Sequence, residues 1–346
     1  MGNTDIIERI KAAKEKLGKD LIILAHYYQH HDIINFADFV GDSLQLAQIA
    51  SRQKTARYIV FCAVSFMAET ARILCSPEQE VFHPEPHARC PLAEMANISD
   101  VEKAWAVIQG AGKEVVPVVY VNSNADLKAF CGRNKGLACT SSNAKKIMEH
   151  ILSENKVPFF FPDENLGRNT AQTMGIHESE MFLWDPYAGD ADRNTESMKD
   201  AQIYLWRGFC IVHTIFLPSD VERVRKEYDN IKVVVHPECI PGVVNMADFA
   251  GSTSFIKNVV EQSDTGSKWA IGTEINFVNS IKAQNPDKLV IPLKTSGCRE
   301  MAKVTPEKLL HVLENLVEGK TPYPVLVDES FVNHARIALK RMLEIA

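Results

Sequence analysis

Cys90, Cys210 and Cys298 each close one cycle of a pattern that runs through the chain three times. The first cycle reads LAHYYQ, GDSLQLA, FMAETA and HARC; the second VYVNSN, CTSSNA, DENLGR and RGFC; the third VVHPEC, GSTSFI, GTEINF and SGC. Between His26, Ser43, Glu69 and Cys90 the gaps are 17, 26 and 21 residues. Between Asn122, Ser141, Glu164 and Cys210 they are 19, 23 and 46, and between His236, Ser252, Glu274 and Cys298 they are 16, 22 and 24. Such a repeat implies three similar units around a shared centre, each supplying a polar strand end, a helix start and one thiolate. Three thiolates suit an iron–sulfur cluster with one open iron, able to act as a Lewis acid on a substrate hydroxyl or carboxylate. Zinc held by three cysteines and a water is the competing metal.

Two further sets carry chemistry. Asp42-Ser43, Thr140-Ser141-Ser142 and Ser252-Thr253-Ser254 each precede a helical stretch. Any one of them reads most simply as an N-cap. Three helix starts facing one cleft would also bind a ligand with several negative groups through free N–H donors. In the third unit His236 stands two residues from Glu238 at a strand end, a position suited to acid–base work, and His26 and Tyr28 add proton donors in the first. His213 follows Cys210 by three residues. His30, His31, His83 and His87 read as structural or exposed, and Glu69 and Glu274 as helix-start residues favoured by the dipole.

The elements that must position these residues are legible as continuous apolar runs: Leu21–Ala25, Tyr58–Val64, Val115–Val121, Val157–Phe161, Ile231–Val235, Trp269–Ile271 and Leu289–Pro292. Continuous rather than alternating apolar runs indicate parallel strands covered on both faces. Helical stretches lie between them at Ser43–Gln53, Ala144–Ser153, Ser219–Tyr228 and Pro306–Leu316, so the expected class is α/β. Functional side chains then gather beyond the carboxyl ends of the strands. The segment WDPYAGDADRNTESMKDAQ in the long second gap reads as an insertion peripheral to the chemistry, and the chain ends in a helix over Glu329–Ile345.

Bulk properties narrow the class. With 346 residues, 46% hydrophobic and 24% charged, the chain can bury a large core. A net charge of −6 with no basic stripe argues against nucleic acid as a partner. No apolar run reaches transmembrane length, and the first twenty residues read as an amphipathic helix rather than a signal or transit peptide, so no membrane partner and a cytoplasmic location are expected. Among eight cysteines there is no C-x-x-C pair; Cys62, Cys75, Cys131, Cys139 and Cys239 sit in or beside apolar runs and read as inert buried thiols.

Taken together, LAHYYQ, GDSLQLA, FMAETARIL, VYVNSNADLKA, CTSSNA, PDENLGR, the HPEC run, GSTSFI and the three cysteines resemble the quinolinate synthase family, from about residue 20 to the end. The resemblance implies three αβα three-layer domains with parallel sheets, in a pseudo-threefold triangle around a [4Fe–4S] cluster. The units are expected at 1–95, 96–213 and 214–319, with a C-terminal helix at about 320–346 packing back on the first. It implies condensation of iminoaspartate with dihydroxyacetone phosphate to quinolinate, with loss of phosphate and water, in NAD biosynthesis, and functional coupling to the enzyme that produces iminoaspartate. Carried onto this chain, it makes Cys90, Cys210 and Cys298 the cluster ligands. His26, Ser43, Tyr120, Asn122, Ser141, His213, His236, Ser252 and Thr253 become substrate-contacting residues; Tyr28 and Glu238 move protons, with His26 and Tyr120 beside them. Two features depart from the family pattern. Only Cys298 stands where some members carry C-x-x-C-x-x-C, which argues against a disulfide switch, and AFCGRNKGLA makes a longer loop than the family's. On the residues alone, an iron–sulfur hydro-lyase acting on a hydroxy acid and a non-catalytic iron–sulfur sensor stay open as alternatives.

Overall fold

The computed structural model describes residues 3–188 and 195–345, and these hold three wholly parallel sheets. The first contains β1 (Leu21–His26), β2 (Phe39–Gly41), β3 (Tyr58–Cys62) and β4 (Glu80–Phe82), in the order β2-β1-β3-β4. The second contains β5 (Val115–Tyr120), β6 (Leu137–Cys139), β7 (Val157–Phe161), β8 (Met181–Trp184) and β9 (Ile203–Trp206), ordered β6-β5-β7-β9-β8. The third contains β10 (Lys232–Val235), β11 (Phe249–Ala250), β12 (Lys268–Gly272) and β13 (Leu289–Pro292), ordered β11-β10-β12-β13. One winding therefore occurs three times, as the repeat implies, with β9 in the place of β4 and β13. Units one and three match to the side chain: Asp38 takes the amide of Ile23 at 2.7 Å, and Asp248 takes that of Val233 at 2.7 Å.

The apolar runs are continuous because both faces of each strand are used. In β1, Ile22 and Leu24 enter one core cluster while Leu21, Ile23 and Ala25 enter the other. Val234 is likewise turned away from Val233 and Val235. Each such branched side chain removed from water contributes about 1.5–3 kcal/mol. The strands that sequence patterning passes over are short: β2, β4, β6, β8, β9 and β11 span three, three, three, four, four and two residues, too few to show a period.

The long second gap also holds β8, the extra edge strand paired with β9, and none of its described residues lines the cavity below; 189–194 lie outside the described residues. One expectation needs correction: the C-terminal segments sit one helix out of step with the expected boundaries. The helix Pro306–Val317, assigned to the third unit, packs on the helix Asn3–Leu17 and the first sheet, placing Leu309, Val312 and Leu313 beside Ile10 and Ile23. Arg9 clasps Glu314 there at 2.8 Å. The last helix, Glu329–Ile345, was expected on the first unit but lies mainly along Ala125–Arg133 and β6 of the second. Gly132 permits this, because a Cβ there would come within 1.9 Å of the His334 carbonyl oxygen. Arg341 and Asn143 tie the seam through Gly136 O and Met342 O, while Arg336 reaches the first unit at Ile73 O, 2.8 Å away.

Candidate active site

The carboxyl ends of all three sheets open onto one cavity. His26, Tyr28, Ser43 and Cys90 line it from the first unit, and Tyr120, Asn122, Ser141 and Cys210 from the second. His236, Glu238, Thr253 and Cys298 line it from the third. Two expected residues stand behind this wall: His213, which touches Tyr28 and Glu238, and Ser252, whose hydroxyl accepts from Phe255 N at 3.3 Å as a helix cap. No Lys or Arg lines the cavity among the described residues. Positive potential must come from the starts of the helices Ser43–Arg52, Ala144–Ser153 and Thr253–Glu261 and from imidazole N–H groups. The Asn122 Oδ1 is buried without a hydrogen-bond partner, a cost of about 1–3 kcal/mol that a bound donor would recover.

The cysteines fall into two groups. Cys62, Cys75, Cys131, Cys139 and Cys239 are buried in the cores, whereas Cys90, Cys210 and Cys298 are partly exposed and turned to the cavity, and all eight are free thiols. Each of the three follows the last-wound strand of its unit, β4, β9 or β13. Burial pushes the Cys90 thiol up to about 12 and raises Cys210 and Cys298 too, so the trio is protonated unless a cation compensates it. The loops are already built for sulfur anions. Amides of Ala93 and Leu92 face Cys90, that of Val212 faces Cys210, and those of Met301 and Glu300 face Cys298. Three convergent thiols with amide donors and no disulfide partner fit a three-cysteine metal cluster.

Beside them lies a polar chain. His213 Nδ1 approaches Glu238 Oε2 to 2.6 Å, and its Nε2 is 3.3 Å from the Tyr28 hydroxyl and 3.0 Å from Thr273 Oγ1. Tyr28 and Thr273 are themselves 2.8 Å apart. Tyr28 and Glu238, paired directly in the sequence reading, are thus joined through an imidazole. Donor atoms of Cys210, His213 and Glu238 all lie within 4.8 Å of one another, so this chain touches the thiol site. Burial opposes the charge on Glu238, but His236, His213 and the Tyr120 hydroxyl outweigh it and hold the carboxyl below the usual range. Burial and the Glu238 charge push the Tyr28 phenol well up, keeping it a donor.

His26 and His236 occupy matching places. A backbone amide two residues on, Tyr28 N at 3.1 Å and Glu238 N at 3.3 Å, donates to each Nδ1. The proton is thereby placed on Nε2 of both rings, where His236 meets Ser141 Oγ at 3.2 Å. Burial lowers His26 to about 4 and His236 to about 3, so both act as neutral donors.

Sequence reasoning missed Thr273, although it directly follows β12, where functional residues gather. It also missed Asp163 and misaligned the acidic markers. Asp163 and Glu274 are the true equivalents: each caps the next helix, and each carboxylate faces the amide of its unit's cavity cysteine, Cys298 N donating to Glu274 Oε1 at 3.4 Å and Cys210 N lying toward Asp163. Glu69 is no helix-start residue, because its helix begins at Ser65; burial raises its carboxyl, which faces Lys128 and the Ala125 amide across the unit boundary. Glu164 opens its helix but pairs with Arg168 at 2.7 Å. His83 is buried and structural, while His30, His31 and His87 lie toward the surface.

No helix among the described residues is long and apolar enough to cross a membrane. The family model described as quinolinate synthetase A protein matches residues 8–344. The quinolinate synthases of Halalkalibacterium halodurans and Bacillus cytotoxicus are each 43% identical over 347 aligned positions, covering 99% of this chain and 94% of each relative. That of Bacillus cereus is 42% identical over the same span. With this match running through every residue of the cavity, the chain belongs to the quinolinate synthetase A protein family.

Proposed function

We propose that the cavity condenses iminoaspartate with dihydroxyacetone phosphate to give quinolinate, releasing phosphate and water. The observation that carries this reading is the junction of three free thiols with a Glu238–His213–Tyr28 chain in one cavity that has helix starts and, among the described residues, no cationic side chain. Cys90, Cys210 and Cys298 would hold a [4Fe–4S] cluster. When bound, it supplies an iron with a free position, a Lewis acid for departure of hydroxide.

The chain's own residues do the rest. Helix starts at Ser43, Ser141 and Thr253 receive the phosphate and carboxylates, and Nε2–H of His26 and His236 and the unpaired Asn122 oxygen fix orientation. Holding two small flexible reactants in register removes much of the entropic barrier to carbon–carbon bond formation. Isomerising the triose portion takes a proton from one carbon while the carbonyl oxygen gains one, then takes a proton from the other hydroxyl and returns one to the neighbouring carbon. Glu238, anionic and dry, is the base; Tyr28, kept protonated, is the donor; His213 passes the proton between them. Tyr120 steadies Glu238. Iminoaspartate is an imine prone to hydrolysis, and coupling to the enzyme that produces it belongs to the same proposal.

The test is anaerobic purification, iron and sulfide counts with the absorption spectrum, then a quinolinate assay on the same sample. A cluster-replete protein that forms no quinolinate from the two substrates sinks the proposal. Turnover of a single hydroxy acid, indifferent to triose phosphate, would favour the hydro-lyase reading instead.

A further inference from the structure

The three helices that start at the cavity are led by matching triplets: Asp42-Ser43-Leu44, Thr140-Ser141-Ser142 and Ser252-Thr253-Ser254. In units one and three the first place caps the helix: Asp42 Oδ1 accepts from Gln45 N at 2.9 Å and Ser252 Oγ from Phe255 N at 3.3 Å. In unit two Thr140 Oγ1 accepts from Ser142 N at 3.2 Å within the turn that leads into the helix, whose N-cap is Asn143. The second place, Ser43, Ser141 or Thr253, lines the cavity in every unit, with Asp42, Thr140 and Ser142 beside it. Only the third breaks the repeat. Leu44 is apolar, whereas Ser142 and Ser254 both donate their hydroxyls to one oxygen, Asp42 Oδ2, at 2.8 and 2.7 Å. The first unit has the only carboxylate at the first place, and the other two units have the only hydroxyls at the third place.

A single buried side chain therefore bonds the opening turns of all three units, with one oxygen for its own helix and the other for its neighbours. Hydrogen bonds to an ionised acceptor are stronger than neutral ones, and three helix dipoles favour negative charge where the turns meet. Two consequences follow. The spacing between Ser43, Ser141 and Thr253 is set by how closely Ser142 and Ser254 are drawn to Asp42. The meeting point of the helix starts also already holds the protein's own anion, so a ligand's anionic group is displaced to the cavity side, onto those three hydroxyls and the free amides. We propose that Asp42 is a positioning residue that clamps the three units at their helix starts and thereby sets the fit of the anion-binding wall. The clamp is a feature of the protein alone; its kinetic consequence rests on the reaction proposed above.

The test compares Asp42→Ala, Ser142→Ala/Ser254→Ala and their combination in the cluster-loaded protein. Amide exchange at residues 143–148 and 254–258, read by mass spectrometry without substrate, is expected to quicken about tenfold in each. KM for dihydroxyacetone phosphate is expected to rise about tenfold with kcat altered less than about threefold, and the triple variant to be no worse than the weaker parent, because both parents break one clamp. Unchanged exchange in both parents, additive effects in the triple variant, or a loss confined to kcat overturns the proposal. Should Asp42→Ala fail to fold, the serine variant carries the test, since it leaves the Asp42 cap in place, and Ser254→Ala alone loosens the clamp without removing any group that lines the cavity. A protein that makes no quinolinate yet shows coupled exchange upholds the clamp and refutes the reaction reading, so the two failures are distinguishable.

Discussion

Thr273→Val removes one buried hydroxyl and leaves a side chain of nearly the same shape. That hydroxyl sits 2.8 Å from the Tyr28 phenol and 3.0 Å from His213 Nε2, and Thr273 has no exposed surface. Its loss leaves Tyr28 with His213 alone, at a longer 3.3 Å. Two hydrogen bonds go, and one partner keeps a weaker alternative, so the expected cost is about 1–3 kcal/mol of stability. Catalysis should suffer more selectively. The phenol would no longer be held against the imidazole, and if half of that cost falls on the proton-transfer step, kcat drops roughly two- to tenfold with KM little changed. Urea unfolding of the cluster-free protein reads the first number and steady-state quinolinate formation the second. Thr273→Ser, which restores the hydroxyl, should recover most of both. Wild-type kcat in the valine variant, or no recovery in the serine variant, would refute the view that Thr273 holds Tyr28 in a working chain.

Gly132→Ala would push a methyl into the His334 backbone, which no rotamer change can relieve; a loss of about 2–4 kcal/mol is expected in denaturant unfolding, with exchange quickened along 329–345. Replacing Cys90, Cys210 or Cys298 by Ala should abolish bound iron in the anaerobic protein, while Cys62→Ala keeps it; the reverse pattern would overturn the ligand assignment. Stability should also fall on acidification. His83 donates through Nε2 to Ala63 O at 2.9 Å and accepts Glu85 N–H on Nδ1 at 3.0 Å, and burial lowers it to about 4 from an unfolded value near 6.5. The unfolded chain therefore takes up a proton that the folded chain refuses, so stability is intact above pH ~6.5 and declines toward pH ~4, by at most about 3 kcal/mol for this group. His26 and His236 act in the same direction. Urea midpoints at pH 7 and 5 check this, and His83→Gln should flatten the slope.

Much of the site was legible because its residues are placed by elements that announce themselves. Cys90, Cys210 and Cys298 could be singled out among eight cysteines by recurring place alone, and β1, β5 and β10 are apolar enough to mark where His26, Asn122 and His236 emerge. What failed did so where identity and spacing mislead. Glu69 shares its letter and approximate gap with Glu274, yet stands mid-helix against Lys128; the residue that shares Glu274's task is Asp163. His213 was singled out for its nearness to Cys210, but its place between Glu238 and Tyr28 depends on two other units. Helix Pro306–Val317 was recognisable as a helix, while its partner, Asn3–Leu17, lies at the far end of the chain.

The linear chain thus determined the composition of each unit: buried strands, a capped helix start and a lone thiol, all governed by neighbours within one repeat. The tertiary structure decided how the units differ in duty. Asp42 as the acceptor for Ser142 and Ser254, Thr273 as the anchor of Tyr28, and the last helix seated on Gly132 are contacts between residues some 100 to 250 positions apart. Local patterning reports what a segment can bury or cap, because those forces act within a turn or a strand. Which carboxylate meets which hydroxyl is set only when three sheets close on one another, and the three thiols share one cavity only then.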